Sequence, residues 1–491
     1  MTDGRKAPAA GPLRPLLAGA ALLALSWTLF RLASGFDGLY GQDAYEYLRY
    51  AGEVRARLLG GPAPGAFFWP VVYPAATAVL SLLTGTTPPA AQLVSGLSLL
   101  AAFAAGATAL ARRSPSDSRL AVAYWGVSFA LAPYVFRASL SSMSDLLGAA
   151  FLCAFLLFAF EWERERRDGD LAASSFFAVA AVTTRHPVAL VLAPAAALLA
   201  FQALRGRRLA TAGLAAAAAL LAFAPTLGLA RAGGSDPLHY PGLRDWSLSN
   251  AVSRTTESVD GRQTYRVPTA LFALSTLASP GFFVLGVPLL LAVRKEDFAE
   301  PLARALAAGG LLSTAFHAGV PYHNDRHLLA SFPLVPFLLF PAFARVARAR
   351  IAALPRLAAP AALVIVGSVQ LVLAARACRD VFAASRLDRA AAELLRETPG
   401  TKLYTFALTP ALASRGVPQE LVDLWTRAPD DARPGDLVLF APGRFAGQWA
   451  GRKPMTGWQL LASRFELAPL RRLDGGFTLY RLGARSGGGA A

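Results

Sequence analysis

Long stretches without a charged residue alternate with short polar segments along this chain of 491 residues. An apolar run of about 17 to 25 residues can cross ~30 Å of hydrocarbon as a helix. "LLAGAALLALSWTLF" and "LAAPAALVIVGSVQLVLAA" are two such runs. The pattern predicts spans near residues 15–34, 90–110, 119–136, 143–160, 171–184, 187–204, 209–230, 269–293, 305–320, 328–344 and 357–376. About eleven helices at that spacing make an all-α polytopic membrane protein. Arg5, Lys6 and Arg14 precede the first run, which is long for a signal peptide and is followed by further spans; it is read as uncleaved.

One apolar segment fits less well. "FFWPVVYPAATAVLSLLTG", residues 67–85, contains Pro70 and Pro74. If it crossed, "ARRSPSDSR", "RERRDGD" and "RGRR" would all face outward, against the tendency of basic residues to stay on the cytoplasmic side. A segment that lies in the interface or re-enters keeps those loops inside, and prolines are tolerated there where protein surrounds them. The N-terminus is then cytoplasmic, in an inner-membrane, multi-pass arrangement. The first outer loop is about residues 35–89. The outer side also receives "RASLSSMSD", "TTRHP", the loop 231–268, "PYHNDRH" and everything after about Ala377.

The pattern changes near residue 377. "DRAAAELLRET" reads as an amphipathic helix, and "KLYTFAL", "DLVLFAP" and "FTLYRLG" read as short strands between Pro and Gly turns. Residues 377–483 are therefore expected to form a small extracytoplasmic α/β domain after a transmembrane domain over 1–376, with a disordered tail at 484–491.

Composition adds two points. The net charge is +17; because the arginines sit in short loops between apolar runs, the charge reports membrane orientation and implies no nucleic-acid partner. Two cysteines without CxxC spacing imply no cysteine chemistry. "GRFAGQWAGRK" lacks the GxxxxGK[ST] spacing of a phosphate loop.

The outer segments hold the candidate chemistry. In "GQDAYEYLRY", residues 41–50, Asp43 and Glu46 match the start of a helix closed by a capping box. They equally make a carboxylate pair that shares one helix face with Tyr47 and Tyr50 and could activate a sugar hydroxyl. In "SLSSMSDLL", Asp145 stands at the mouth of a span after Arg137: it either caps the helix or faces a cavity or a partner. Arg185 and His186 precede Pro187, where an arginine can hold a phosphate or snorkel to headgroups. In "PYHNDRHLL", His323 and His327 have the spacing of two metal ligands, but the HExxH glutamate is missing. The same stretch, with Asp325 and Arg326, also reads as an anion clamp or as a polar interfacial turn.

Taken together and in order, these segments resemble the GT-C superfamily of membrane glycosyltransferases, which includes protein O-mannosyltransferases, lipid A aminoarabinose transferases and the Alg and GPI-anchor mannosyltransferases. "GQDAYEYLRYAGE" looks like the acidic motif of the first outer loop. "FFWPVVYPAATAVL" is similar to its proline-containing segment, and "SMSDLL", "TTRHPVALVLAP" and "YHNDRHLLASFPLVPFL" to later motifs. The resemblance covers about residues 15–376; this chain has Gln42-Asp43-Ala44 where several members have adjacent acids. It implies an inverting transfer of a hexose or pentose from a polyprenyl-phosphate-linked donor to a lipid, glycan or protein acceptor on the outer face. Asp43 would be the general base, and Arg326, with Arg185 and His323, would stabilise the leaving phosphate. Glu46 and Asp145 would orient substrate or bind a divalent cation. The remaining candidates, Arg137, His186, Asp325 and Tyr47, fall to the substrate and donor-phosphate site. The whole reading requires Asp43, Asp145, Arg185 and Arg326 to converge on one cavity. Two other classes compete: a transporter or lipid flippase, which predicts paired broken helices or inverted repeats, and an O-antigen-ligase-like enzyme with its site in the 231–268 loop.

Overall fold

A computed structural model describes residues 13–206, 208–234, 236, 243–351 and 358–484. Arg5 and Lys6, part of "RGRR", part of the 231–268 loop and the tail 485–491 lie outside the described residues.

The helices follow the apolar pattern. They run α1 (Leu13–Ser34), α2 (Gly41–Leu58), α3 (Val72–Thr84), α4 (Thr87–Arg113), α5 (Ser118–Trp125), α6 (Pro133–Leu140), α7 (Asp145–Glu165), α8 (Asp168–Thr184), α9 (Val188–Arg205) and α10 (Leu209–Gly233). A hairpin of β1 (Thr255–Ser258) and β2 (Gly261–Thr264) follows, then α11 (Thr269–Ala273), α12 (Ser275–Ala278), α13 (Gly286–Leu291), α14 (Pro301–Gly319), α15 (Asp325–Leu328), α16 (Leu334–Ile351) and α17 (Ala358–Glu397).

Among the described residues, six helices are individually long and apolar enough to cross a membrane: α1, α4, α7, α9, α10 and the greater part of α17. A seventh arises if Pro115–Leu140 crosses as one span despite its 69° bend. That bend has a local cause: α5 runs into a π-turn, and Pro133, which has no N–H to continue the helix, restarts it as α6. The apolar pattern predicts eleven spans, more than these six or seven: α8, with 17 residues, and α14 follow predicted runs without meeting the same test, and two further runs break up. The run 269–293 is three short helices rather than one, broken at Leu274 and again over 279–285, a stretch that contains Pro280. The run 328–344 opens in turns and becomes α16 only at Leu334. Helix α3 has 13 residues, about 20 Å of rise, which is short of the hydrocarbon thickness and suits a segment that does not cross.

Burial separates the helices. α7 is 78% buried over its apolar stretch and forms the centre, whereas α1 and α10 are each 11% buried. Leu17, Leu22, Leu25, Leu29 and Leu32 stand exposed along α1, an apolar face of the kind that lipid tails cover. Small residues set the closest approaches. A Cβ placed on Gly309 in α14 would lie 2.0 Å from the carbonyl oxygen of Val191 in α9. Gly309→Ala should therefore push the two helices apart and destabilise the protein by roughly 1–3 kcal/mol, read as a lowered melting temperature in detergent.

Helix α17 has 40 residues, about 60 Å, roughly twice the hydrocarbon thickness. Its far end joins a five-stranded sheet of order β4-β3-β5-β7-β6. β3 (Lys402–Thr405) pairs in parallel with β4 (Glu420–Asp423) and β5 (Leu437–Phe440); β7 (Thr478–Gly483) runs antiparallel to β5 and to β6 (Glu466–Arg472). The predicted strands are β3, β5 and β7. The edge strands β4 and β6 lack an apolar run, and β6 also carries Pro469 beside an irregular register. Leu387, Ala391 and Leu395 of α17 share a core with Leu403, Leu437 and Leu439. Polar contacts tie this region to α2: the hydroxyl of Tyr45 donates to Asp388 at 2.8 Å and accepts from Arg415 at 3.0 Å, while Arg415 also pairs with Asp37 at 2.9 Å.

Candidate active site

α2 starts at Gly41, where φ is +64°, and Tyr40 before it offers no side-chain cap. Asp43 therefore does not close a capping box. Its carboxylate instead accepts from Arg326 Nη1 at 2.7 Å. Arg326 is presented by the single turn α15, whose first N–H groups are met by Asn324 Oδ1 accepting from Arg326 N at 3.1 Å.

The same guanidinium donates through Nε to Asp145 Oδ2 at 2.9 Å. Asp145 is the first residue of α7 and its side chain is 1% exposed. Its second oxygen lies 2.7 Å from Arg185 Nη2. Arg185 ends α8 in an extended conformation and also donates to the carbonyl of Arg326 at 3.2 Å. Gly148, one turn into α7, makes room for it: a Cβ there would meet Arg185 Cγ at 3.1 Å. Asp43, Arg326, Asp145 and Arg185 thus form one ladder of alternating charge. An unpaired charge at this depth would cost several kcal/mol; each of these has an opposite partner.

Asp43, Arg326 and Arg185 of this ladder line a cavity of about 940 Å³. Asp43, Arg137, Arg185, His186, His323, Asp325, Arg326 and His327 line it, so most of the sequence-predicted residues meet. Arg137 sits over the Tyr134 ring at 4.6 Å. Burial raises the carboxyl of Asp325 above its ordinary value, against the pull of Arg137. His323 is stacked between Tyr265 at 3.7 Å and Phe272 at 4.5 Å, with Nε2 at 3.0 Å from Thr269 Oγ1. Burial pulls its pKa down to about 4, and burial likewise holds His327 well below the ordinary histidine range, so both rings are neutral near pH 7.

Three expectations need correction. Glu46 does not join Asp43: it pairs with Arg49 at 2.9 Å on an exposed part of α2 and is not in the lining. Tyr47 is 1% exposed, packs against Phe67, Trp69 and Tyr73, and hydrogen-bonds Ser144 at 2.9 Å. It braces the turn before Asp145 and does not face the cavity. Asp145 also stays out of the lining, because both of its oxygens are covered by arginines. The structure adds Trp69, from the proline-containing segment, and residues that no motif indicated: the hairpin residues Asp260 and Gln263 and, from the C-terminal side, Asp380 and Trp425. No local pattern marks the last four; they are assembled by long-range packing.

A divalent ion does not fit these residues. Among the described residues no three His, Cys, Asp or Glu side chains group as a metal site, and Asp43 and Asp145 both face Arg326.

No family model matches the sequence, and comparison with curated proteins gives no match. Solved structures do match. ArnT from Cupriavidus metallidurans bound to undecaprenyl phosphate aligns over 96% of this chain and 98% of its own, at a TM-score of 0.55 and 17% identity. The apo state of the same protein gives 0.56 and 16% over 94% and 98%. The Archaeoglobus fulgidus oligosaccharyltransferase, tethered with an acceptor peptide containing the NVT sequon, gives 0.52 and 12% over 95% of this chain and 74% of its own. Both proteins are GT-C membrane glycosyltransferases. This chain shares the fold of these proteins: a polytopic helical membrane protein with a small C-terminal sheet region.

Proposed function

We propose that the protein is an integral-membrane glycosyltransferase that moves a sugar from a polyprenyl-phosphate-linked donor to an acceptor, with inversion and with Asp43 as general base. The observation that carries this reading is Arg326, which bridges Asp43 and Asp145 at the wall of the cavity. Asp145 fixes Arg326 and Arg185 from behind, so their guanidinium groups are held ready for a phosphate. A lipid phosphate arriving at Arg326 competes with Asp43 for the same donors. As it binds, Asp43 loses its arginine and is freed to accept a proton.

The acceptor hydroxyl oxygen then attacks the anomeric carbon, its proton passes to Asp43, and the bond from that carbon to the phosphate oxygen breaks. The electron pair leaves on the lipid phosphate, where Arg326, Arg185 and Arg137 stabilise the charge that develops. ArnT bound to undecaprenyl phosphate supports a lipid-phosphate donor by analogy of fold. In this proposal residues 1–376 are the transferase domain and residues 377–483 an extracytoplasmic domain, with the site on the outer face of the cytoplasmic membrane. A screen of radiolabelled undecaprenyl-phosphate sugars in membranes containing the chain tests it. At least one should be consumed with release of undecaprenyl phosphate; consumption of none contradicts the reading.

A further inference from the structure

The roof of the cavity contains a carboxylate that the donor site does not use. β1 and β2 meet in a two-residue turn, Val259–Asp260, and both turn residues line the cavity. The turn is clamped from outside by the C-terminal region. Gln448 donates through Nε2 to the carbonyl of Asp260 at 2.6 Å and accepts from Arg262 N at 2.8 Å. Arg452 donates to the carbonyl of Ser258 and pairs with Glu257, both at 2.7 Å. Gly261, at φ +88°, lies so close to Gln448 that a Cβ would be 2.3 Å from its carbonyl oxygen, so only glycine fits there.

The clamp continues into an aromatic group. Trp449, next to Gln448 and 5% exposed, packs edge-on against Trp425 at 5.9 Å. Trp425 itself lines the cavity. The adjacent residues Gln448 and Trp449 therefore hold Asp260 and Trp425, both in the lining of the cavity that Asp43 also lines.

The electrostatics differ from those of the phosphate clamp. Burial raises the Asp260 carboxyl, and the negative charges of Asp43 and Asp245 raise it further, with only Arg452, which is already paired, acting the other way. Once a lipid phosphate has taken Arg326, an anion between Asp43 and Asp260 would meet carboxylates. A hydroxyl there can donate to either, and the C–H face of a sugar ring can pack on an indole.

We infer that Asp260 and Trp425 form the acceptor subsite, and that it takes a neutral glycan end and disfavours a phosphorylated one. The inference rests on the glycosyltransferase reading and narrows its acceptor. Asp260 acts there by positioning the attacking hydroxyl toward Asp43, and Trp425 by orienting the ring.

Full-length protein in nanodiscs with undecaprenyl phosphate tests it by saturation-transfer NMR. The probes are mannotriose, maltotriose and N-acetylchitotriose, compared with mannose 6-phosphate and glucose 6-phosphate. At least one neutral probe should bind saturably and the phosphates at least tenfold more weakly. Asp260→Asn, which keeps the shape of the turn, and Trp425→Ala should each weaken that binding about tenfold while undecaprenyl phosphate binding stays at the wild-type level. Gly261→Ala should weaken probe binding in the same way. Tighter binding of the phosphates, binding of no neutral probe, or neutral binding indifferent to both Asp260→Asn and Trp425→Ala would overturn the inference. Failure of the wild type to bind undecaprenyl phosphate would instead contradict the donor reading.

Discussion

Arg326→Ala should remove transfer almost completely, by about 10²–10³-fold or more, because it deletes the principal donor to the leaving phosphate. It should also destabilise the protein. Asp145, 1% exposed, would keep only Arg185 as a partner, and breaking a buried pair typically costs about 3–5 kcal/mol. Asp43 contributes little to that loss, since its side chain is one-third exposed and solvent screens the pair. Arg326→Lys separates the two effects. An ammonium restores positive charge, but it lacks the planar fork that reaches Asp43 through Nη1 and Asp145 through Nε at once. Much of the melting temperature should return with Lys, and little of the turnover. Recovery of wild-type turnover in the Lys variant would contradict the bridging role.

The second large effect belongs to Asp43. Asp43→Asn keeps the size of the side chain and an oxygen for Arg326, so folding should be unchanged. Without a carboxylate to accept the hydroxyl proton, transfer should fall by about 10²–10⁴-fold, the usual contribution of a general base. Undecaprenyl phosphate should still bind, and tighter than to the wild type, because a neutral amide competes less well for Arg326. Loss of turnover together with loss of lipid-phosphate binding would mean that Asp43 shapes the site and does not act as base.

The ladder is partly legible in the sequence. A charge at the mouth of a span needs a partner or a cavity, and that rule singles out Asp145 and Arg185 from the apolar pattern alone. It does not show that Asp145 is sealed behind the arginines, because its contact with Arg326 joins residues 181 apart. Helical spacing places Asp43, Glu46, Tyr47 and Tyr50 on one face. The cavity, however, meets only the first turn of α2; below it, Tyr47 and Tyr50 enter an aromatic core with Phe67. Glu46 stays at the surface with Arg49. The capping-box pattern is a competing local signal, and it loses to a long-range ion pair.

The fold is legible where apolar runs are long and uninterrupted, as in α4, α7 and α17. It is less so around 269–293, where breaks at Leu274 and around Pro280 divide a run of spanning length into short helices. Asp260 and Trp425 are not legible: their placement depends on Gln448 and Arg452, which reach the hairpin across 188 and 194 residues of chain.

A structure of the protein with undecaprenyl phosphate bound in nanodiscs tests the central claim most directly. The account predicts the phosphate within hydrogen-bonding distance of the Arg326 and Arg185 guanidinium groups, with Asp145 still behind them. It also predicts that the 2.7 Å contact between Arg326 and Asp43 is opened and that Asp43 faces the cavity. A phosphate seated elsewhere, with Arg326 still bridging Asp43 and Asp145, would contradict it.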